Sequence, residues 1–551
     1  MKQRVTPPYP TTARQSIVPR RIAGNTAIVS ASRNASIIGL AFVVSRVLGL
    51  LREVILGYRF GTSSEYDAYV SAFRVPDLLF MVVMAGAFGS AFIPVFGGFL
   101  AKGDEERAWN LASAVITMSA VITVGVGLVI FAFAGPIMRY LVAPDLPPDV
   151  QPVAASTMRI LLLSPVLLGL AIAAKGILEA QDQFTLPAIA PIFYNAAIIM
   201  AAIVLAPRWG VQGVAVGVVI GAGLHLATQI PGLIACGLKF RPSLSTRVDG
   251  LREVGRLLLP RVVGLAAFQL NFVAVTHLAS GAGEGRVSAL NYAWQIMMLP
   301  HGVIALSIST VIFPAMARQY QQGDMAQVRK TFTEALEPLL FLTIPASVGL
   351  FELRTAIPQT IFQLGAFNSQ STELVSSALE FLALGLVWYA LVEVLARIYY
   401  AMQDTRTPVI AGVIIIVLNI VLGTILVGPL GHVGLAIGLS ASTGVEALIL
   451  FYLLRRRIGS LDPSFGDWIA RVMLATAAMA AMAEIVRPRL ERATGIPGSS
   501  RILHVMMLGY ATVLIGGTYF VAAYFLKLPQ MTQGIEMARR RLPASIGRFL
   551  P

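Results

Sequence analysis

The sequence predicts an all-α polytopic membrane protein with about 14 transmembrane helices, arranged as two pseudo-symmetric six-helix lobes plus two C-terminal helices. Three observations support this fold class. The 551 residues are 56% hydrophobic and 13% charged, whereas a soluble domain carries about 25% charged residues. Apolar runs long enough to cross the hydrocarbon core, which takes about 20 residues, recur along the whole chain. Short motifs also repeat at an interval of about 220 residues.

The apolar runs define the predicted spans. The hydrocarbon core offers no water to backbone groups, so each run must pair its own N–H and C=O groups and is therefore predicted to be a helix. In chain order the predicted spans cover residues 37–58, 67–99, 109–138, 153–177, 187–206, 211–235, 259–279, 288–315, 333–352, 373–400, 408–428, 432–453, 467–486 and 502–526.

The segments between the spans predict the topology. Lysine and arginine concentrate in every second segment, beginning with the N-terminal one. Because cytoplasmic loops are the basic ones, both termini are expected in the cytoplasm. Residues 487–501 depart from this pattern, since they are basic and fall on the outer side. The predicted domains are a disordered cytoplasmic tail (1–36), an N-terminal lobe (37–238), a basic cytoplasmic linker (239–258), a C-terminal lobe (259–458), accessory spans 13 and 14 (459–530) and a basic cytoplasmic tail (531–551).

The net charge of +14 and the pI near 10.1 would indicate nucleic acid in a soluble protein. Here the positions of the charges point to topology and to attraction for anionic lipid instead. No nucleic-acid partner is therefore expected. The linker between the halves is the most basic loop. Its residues Arg247–Arg256 fit a surface amphipathic helix lying on headgroups, and a plain solvated loop fits the composition equally well.

An internal duplication organises the first twelve spans. Gln181-Asp182 before Pro187 is echoed by Gln403-Asp404 before Pro408. An even number of spans in each half gives both halves the same membrane orientation, so their pseudo-axis is expected along the membrane normal. Parallel repeats of this kind form two bundles that move about a central site near the bilayer midplane. A duplicated scaffold without a transported ligand is the alternative.

Several chemistries lack support in the sequence. No Walker motif is present, which argues against ATP hydrolysis. Five scattered histidines show no metal-ligand spacing, and the single cysteine, Cys236, has no intramolecular disulfide partner. Paired acids that would suit a glycosyltransferase are confined to Asp104-Glu105-Glu106, which has the composition of a solvated loop. We therefore expect a transporter without cofactor or metal, and not an enzyme.

Two arginines interrupt the first apolar run. Arg46 and Arg52 lie within residues 37–58, and an ionisable group at membrane depth usually faces a water-filled cavity or an anionic partner. Their six-residue separation rotates the two side chains about 120° apart on a helix. For Arg52 the alternative is an ion pair with Glu53 at the membrane surface, where a long side chain extends outward to water.

The motif around these arginines resembles the MviN/MurJ family, flippases of the lipid-linked peptidoglycan precursor. The resemblance extends over about residues 35 to 530. It is carried by Ser45-Arg46-Val-Leu-Gly-Leu-Leu-Arg52-Glu53, Asp67-Ala-Tyr-Val-Ser-Ala-Phe73-Arg74-Val-Pro76-Asp77, Gly86-Ala-Phe88-Gly-Ser-Ala-Phe92-Ile-Pro94, Gln181-Asp182-Gln183-Phe184, Tyr292-Ala293, Pro300, Gly302 and Gln403-Asp404.

The resemblance implies a function and a substrate-binding site. The function would be alternating-access transfer of lipid II, an undecaprenyl-diphosphate-linked saccharide, from the inner to the outer leaflet of the bacterial plasma membrane. The family's two arginines of the first helix correspond to Arg46 and Arg52, and guanidinium groups suit a diphosphate. The family's acid at the start of the second span corresponds to Asp67, for which a helix-capping role is the alternative. Membrane lipids and other cell-wall synthesis proteins are further expected partners.

Spans seven and eight supply three polar candidates for ligand contact, Gln269, Asn271 and Gln295, whose alternative role is to bond neighbouring helices. The chain also departs from the family at charged positions, with Phe80, Ala85, Gln295 and Met298 in their place. The seventh span contains no acid, so no sodium site is expected there. The remaining alternatives are a flippase for another polyprenyl-linked glycan and a non-transporting cell-wall scaffold. A cationic drug is disfavoured because the arginines would repel it.

Overall fold

The fold was analysed in a computed structural model that describes residues 24–85, 88, 92–461, 464–494 and 501–541. Within these residues the secondary structure is helical. Two π-helical segments, Phe80–Ala85 and Ile137–Val142, accompany the α-helices. The α-helices are α1 Gly24–Phe60, α2 Ser64–Leu79, α3 Ile93–Ala101, α4 Glu105–Ala132, α5 Ala134–Pro136, α6 Gln151–Leu161, α7 Leu163–Glu179, α8 Thr185–Val204, α9 Ala206–Ala227, α10 Ile230–Ala235, α11 Leu251–Ser280, α12 Arg286–Gln321, α13 Met325–Glu352, α14 Ala356–Phe362, α15 Ser369–Ala401, α16 Arg406–Leu430, α17 His432–Ile458, α18 Ser464–Thr494, α19 Arg501–Phe525 and α20 Pro529–Arg541.

The described helices confirm a polytopic all-α membrane protein. Eleven of them, counted over the described residues, are long and apolar enough to cross a membrane. They coincide with predicted spans 3–6 and 8–14, and the apolar helix Gly264–Ser280 lies at span 7. Spans 1 and 2 fall on α1 and on α2 with its π-helical continuation, which carry internal charges. The count of fourteen stays a prediction.

Two predicted domain boundaries shift because helices extend past the apolar runs. Helix α1 begins at Gly24 and not at residue 37, and no proline between Gly24 and Phe60 interrupts it. Residues 24–36 therefore belong to a helix, while residues 1–23 of the predicted tail lie outside the described part. The predicted linker 239–258 ends at Gly250, because that residue has φ +82° and the next helix, α11, starts at Leu251.

Predicted span 4 is divided where a proline removes a backbone donor. Span 4 consists of α6 and α7, which meet at Leu162. Pro165 has no N–H to bond the carbonyl of Leu161, four residues earlier. The hydroxyl of Ser164 donates to that carbonyl instead, at 2.7 Å. A side chain thus satisfies a backbone group that lipid cannot.

The internal repeat is visible in the backbone. The turns before α4 and α13 both carry a glycine in the left-handed region, Gly103 with φ +76° and Gly323 with φ +74°. The following aspartates, Asp104 and Asp324, each accept a hydrogen bond from the amide three residues on. An interval of 220 residues therefore relates identical helix starts.

A second pair of turns corrects the alignment of the repeat by one residue. The residues with left-handed backbone are Asp182, φ +59°, and Gln403, φ +60°. Asp182 thus corresponds to Gln403. The sequence motifs had paired Gln181 with Gln403 and Asp182 with Asp404, which is one residue out of register. The reason is that the helix-ending turn, and not the side-chain identity, fixes the register. Pro187 and Pro408, which lie near the starts of α8 and α16, keep the same interval of 221.

The two accessory helices pack on the second lobe. The hydroxyl of Tyr519 on α19 donates to the carbonyl of Phe341 on α13 at 2.6 Å. At the far end of α18, Arg487 forms an ion pair with Glu352 of α13 at 3.4 Å and with Glu484 at 3.1 Å. These acids offset part of the basic charge that made residues 487–501 depart from the charge rule.

Candidate functional site

The two lobes meet at one end of the bundle, where the loop after α1 faces the starts of α12 and α15. We call this end the closed end and define it by residues 58–67, 284–288 and 364–371. Its interior is aromatic: the ring of Tyr66 on α2 stacks on Tyr292 of α12 with centroids 5.3 Å apart, and Tyr292 contacts Phe362 and Phe367. The stacked rings exclude water between the lobes at this level.

Asp67 joins the lobes through the end of a helix. Its two carboxylate oxygens accept hydrogen bonds from the amides of Gly285 and Ser288, each 2.7 Å long. These amides belong to the first turn of α12, where they have no intrahelical acceptor and where the helix dipole favours a negative charge. Asp67 is therefore a capping acid, as the sequence alternative had it, but the helix it caps belongs to the opposite lobe.

Glu53 is the second connection between the lobes. One of its oxygens pairs with Arg52, 2.6 Å from Nη2. Its other oxygen accepts a hydrogen bond from Gln295 of α12 at 3.1 Å and one from the hydroxyl of Tyr66 at 3.5 Å. The carboxylate is buried, with 8% of the side chain exposed. Sequence reasoning treated Glu53 only as a surface partner of Arg52. The position of Glu53 inside an apolar span was the sequence signal that this acid has a role of its own.

Arg52 is neutralised within the first lobe. Besides Glu53, its guanidinium donates to Oδ1 of Asn195 on α8 at 3.2 Å. The ion pair with Glu53 that the sequence offered as the alternative is therefore present. It is partly buried, since 26% of the Arg52 side chain and 8% of the Glu53 side chain are exposed. Gln295, predicted as a ligand contact, is engaged by Glu53 in this arrangement.

Backbone contacts at the closed end require glycine at two positions. The amide of Ala366 donates to the carbonyl of Tyr58 at 2.9 Å. Gly61 has φ +58° and Gly365 has φ +60°. A Cβ on Gly61 would collide with the carbonyl of Ala366, and one on Gly365 would collide with that of Tyr58. Glycine thus permits the main chains of the two lobes to touch.

Arg74 is a further cation between the lobes. It lies on α2 seven residues after Asp67, hence on the same helical face. Its Nε donates to Oγ1 of Thr276 on α11 at 2.8 Å, and its guanidinium lies 5.3 Å from the ring centroid of Phe272. Arg74 belongs to the motif that carries the family resemblance, but no role was predicted for it. Its position two helical turns after Asp67 was the sequence signal that Arg74 faces the same side of α2 as Asp67.

The matches to known proteins decide the family. A family model described as lipid II flippase MurJ matches residues 56–505. The lipid II flippase MurJ of Burkholderia cenocepacia is 30% identical over 435 residues, which cover 78% of this chain and 84% of that protein. The chain belongs to the MurJ family.

Other relatives and solved structures agree with this membership. A probable lipid II flippase MurJ of Vibrio cholerae is 30% identical over 432 residues, 76% of this chain and 82% of the relative. A solved lipid II flippase MurJ in an inward closed conformation superposes with a TM-score of 0.74 at 25% identity, covering 89% of this chain and 98% of that chain. An inward-facing multidrug transporter of the MATE family shares the fold, with a TM-score of 0.64 at 18% identity and coverage of 75% and 94%.

The other predicted site residues occupy different places in this MurJ-family fold. Arg46 is exposed, and its guanidinium lies 5.1 Å from the ring centroid of Phe42 on its own helix. The structure thus separates the two predicted arginines, because Arg52 points into the first lobe and Arg46 does not. Asn271 is buried and accepts a hydrogen bond from Asn419 of α16 at 2.7 Å. This contact within the second lobe fits the helix-bonding alternative.

Gln269 is half-buried on α11 and forms no side-chain hydrogen bond within the described part of the chain. Of the residues at usually charged family positions, Phe80 and Met298 are half-buried and pack against apolar clusters. The side chain of Ala85 lies outside the described residues. Over the residues that the structure describes, no group of three or more histidine, cysteine or acidic side chains is placed to hold a metal ion.

Proposed function

We propose that this chain is a lipid II flippase that works by alternating access of its two lobes, with the closed end as one of its two gates. Lipid II flipping makes it a transporter and not an enzyme. The single observation that carries the mechanism is the capping of α12 by Asp67, because a charged group of one lobe holds a helix end of the other. Such a contact can break and re-form without unfolding either lobe.

The burial of the two facing helices supports a gate at this end. On α1, Leu56 and Phe60 near the closed end are 2% and 6% exposed, whereas Leu40 near the other end is 65% exposed. On α12, Met297 is fully buried and Val311 is 77% exposed. Near the closed end both helices therefore bury large apolar side chains, as expected of a gate that is shut on that side.

Two arginines, Arg46 and Arg74, suit the diphosphate of the substrate. Arg46 is exposed and stacked on an aromatic ring, and Arg74 uses Nε for Thr276, which leaves its two terminal nitrogens for an anion. Guanidinium groups bind phosphate oxygens in bidentate fashion. We assign Arg46 and Arg74 to the headgroup, and Arg52 to the gate through Glu53. The undecaprenyl tail would remain in lipid throughout the cycle.

We assign the closed end to the outer face of the bacterial plasma membrane and both termini to the cytoplasm. Lysine and arginine recur in the loops at the opposite end, among them Lys102, Arg107, Lys330 and Arg406, which is typical of the cytoplasmic side. The cavity would then face the cytoplasm, where lipid II is loaded.

Reconstituted vesicles test the proposed function. Labelled lipid II is incorporated with the purified chain, and the label reaching the other leaflet is followed over time. Faster appearance than in protein-free vesicles is expected, and its loss in Arg74→Ala would link transport to the cavity. Transport of a polyprenyl-linked glycan with a different sugar, together with no transport of lipid II, would contradict the assignment of the substrate.

A further inference from the structure

The linker between the lobes lies on the surface of α4, away from the closed end. Lys239 pairs with Glu105 at the start of α4, at 3.2 Å. The amide of Arg241 donates to Oγ of Ser113 at 3.0 Å, and the amide of Ser243 donates to Oγ1 of Thr117 at 3.3 Å. Thr117 lies about three turns along α4 from Glu105. Contacts along the first three turns of α4 therefore hold the linker, and the surface helix that the sequence allowed over Arg247–Arg256 begins only at Leu251.

A polar cavity of about 380 Å³ opens between this linker and α4. Its lining includes three arginines, Arg107, Arg241 and Arg247. The other polar residues in the lining are Asn110, Ser113, Ser243 and Asp249. Because one acid faces three cations, the lining carries an excess of positive charge. Such a cavity favours an anionic ligand with several hydrogen-bond acceptors.

Two of the three guanidinium groups have no protein partner in the described part of the chain. Arg107 forms ion pairs with Asp104 at 3.3 Å and with Asp249 at 3.4 Å. Arg241 and Arg247 use their backbone amides, to Ser113 and Ser245, but their side chains form no ion pair or hydrogen bond with the described residues. Both side chains are exposed on the cavity and free to bind a ligand.

Apolar side chains flank these arginines on the same linker. Leu238, Phe240 and Leu244 are 38%, 41% and 62% exposed, and the last two neighbour Arg241 and Ser243 in sequence. A soluble anion such as inorganic phosphate would gain nothing from an apolar surface beside its binding site. An anionic lipid would contact both surfaces, because its phosphate binds the guanidinium groups and its acyl chains pack against the apolar side chains.

We propose that the cavity between α4 and residues 238–250 binds the headgroup phosphate of an anionic phospholipid in the leaflet on this side of the membrane. Arg241 and Arg247 hold the phosphate, and Leu244 and Phe240 contact the acyl chains. The bound lipid would fasten the linker that joins the lobes to the membrane. The site is separate from the cavity in which lipid II is transported.

The test measures lipid binding to the purified full-length chain. Delipidated protein in detergent is titrated with phosphatidylglycerol, and bound lipid is counted by native mass spectrometry. We expect the double variant Arg241→Gln/Arg247→Gln to weaken binding roughly thirtyfold, because each basic side chain near an anionic headgroup contributes about a factor of five. Asp249→Asn should strengthen binding, since it removes a negative charge from the lining and releases Arg107.

Matched controls distinguish this site from general attraction to a basic surface. Arg252→Gln/Arg256→Gln removes the same charge from exposed positions on neighbouring α11 and should change the affinity less than threefold. Equal losses in the two double variants would overturn the proposal, as would equal affinity for phosphatidylcholine of the same chain length. Displacement of the lipid by inorganic phosphate at a comparable concentration would assign the cavity to a soluble anion and equally overturn it. Unchanged melting temperatures of the variants confirm that folding is intact.

Discussion

Asp67 and Ser288 are joined across the lobe boundary by a hydrogen bond of 2.7 Å from the Ser288 amide to the Asp67 carboxylate. The helices that carry them are related by the internal repeat, since their N-caps, Ser63 and Gly285, are 222 positions apart. The duplication placed two equivalent helix starts face to face, and an acid in one copy bonds the free amides of the other.

Neutralising Asp67 is expected to loosen the closed end. Asp67→Asn keeps one carbonyl oxygen but loses the charge that faces the positive end of α12. The free energy that favours the closed end should fall by about 1–2 kcal/mol. The population of the closed end should fall roughly tenfold relative to the open one. The measurement is disulfide formation between Thr62→Cys and Ser371→Cys in a Cys236→Ser background, since the two hydroxyl oxygens lie 2.8 Å apart. Glu106→Gln, an exposed acid on α4, should leave the cross-linking rate unchanged.

Adding a methyl group at Gly365 should force the closed end apart. In Gly365→Ala the new Cβ meets the carbonyl of Tyr58, and an L side chain at φ +60° is strained in addition. The matched control is Gly103→Ala, which has φ +76° but open space around its Cβ position. We expect Gly365→Ala to abolish the cross-link described above and Gly103→Ala to preserve it. Equal effects would mean that backbone strain alone, and not contact between the lobes, accounts for the result.

The arginines assigned to the diphosphate should tolerate lysine better than alanine. Arg46→Ala and Arg74→Ala are each expected to lower the lipid II flipping rate at least tenfold, because a hydrogen bond to a charged group contributes about 1.5–3 kcal/mol. Arg46→Lys and Arg74→Lys should retain part of the rate, since lysine keeps the charge but not the planar fork. The control is Arg456→Ala, whose guanidinium lies over Tyr452 on α17. Flipping at the wild-type rate by Arg46→Ala would remove that residue from the site.

The turn before α16 should show a defined pH dependence. Burial works against the charged form of Asp404, but hydrogen bonds from Thr407 and Arg457 outweigh it and lower the pKa of Asp404 to about 2. Because the pKa in the folded protein lies below the unfolded value, the stabilisation is complete above about pH 5. It is lost as the pH falls towards 2. The melting temperature of the wild type should therefore exceed that of Asp404→Asn at pH 7, and the difference should shrink between pH 4 and pH 2. A difference that is constant down to pH 2 would contradict this.

Single-cysteine labelling checks the proposed topology. In a Cys236→Ser background, Arg59→Cys near the closed end should react with an impermeant maleimide added outside intact cells. Ser245→Cys in the linker should react only after the membrane is made permeable. Both positions are exposed, so access to the reagent depends on the side of the membrane. Labelling of both from outside would reject the assignment of the closed end to the outer face.

Local patterns in the chain predicted much of this architecture. Apolar runs long enough to span the membrane leave few alternatives to helices, and the described spans fall where those runs lie. The duplicated turns around Gly103 and Gly323 were detectable because a left-handed residue and a capping acid depend on neighbours close in sequence. The family followed from the motif of the first two spans. The spacing of Arg46 and Arg52 also predicted correctly that they point to different sides of α1.

What the sequence by itself determined was therefore the helices, their duplication and the family, all of which follow from short-range periodicity. The tertiary structure alone decided which polar residues meet. Glu53 lies 242 positions from Gln295, and Asp67 caps a helix 218 positions away. Such pairs arise because a charge inside a membrane protein must find a partner wherever the packing of helices brings one close. No pattern within a single helix records that partner, so Glu53 and Arg74 gained their roles only once the lobes were assembled.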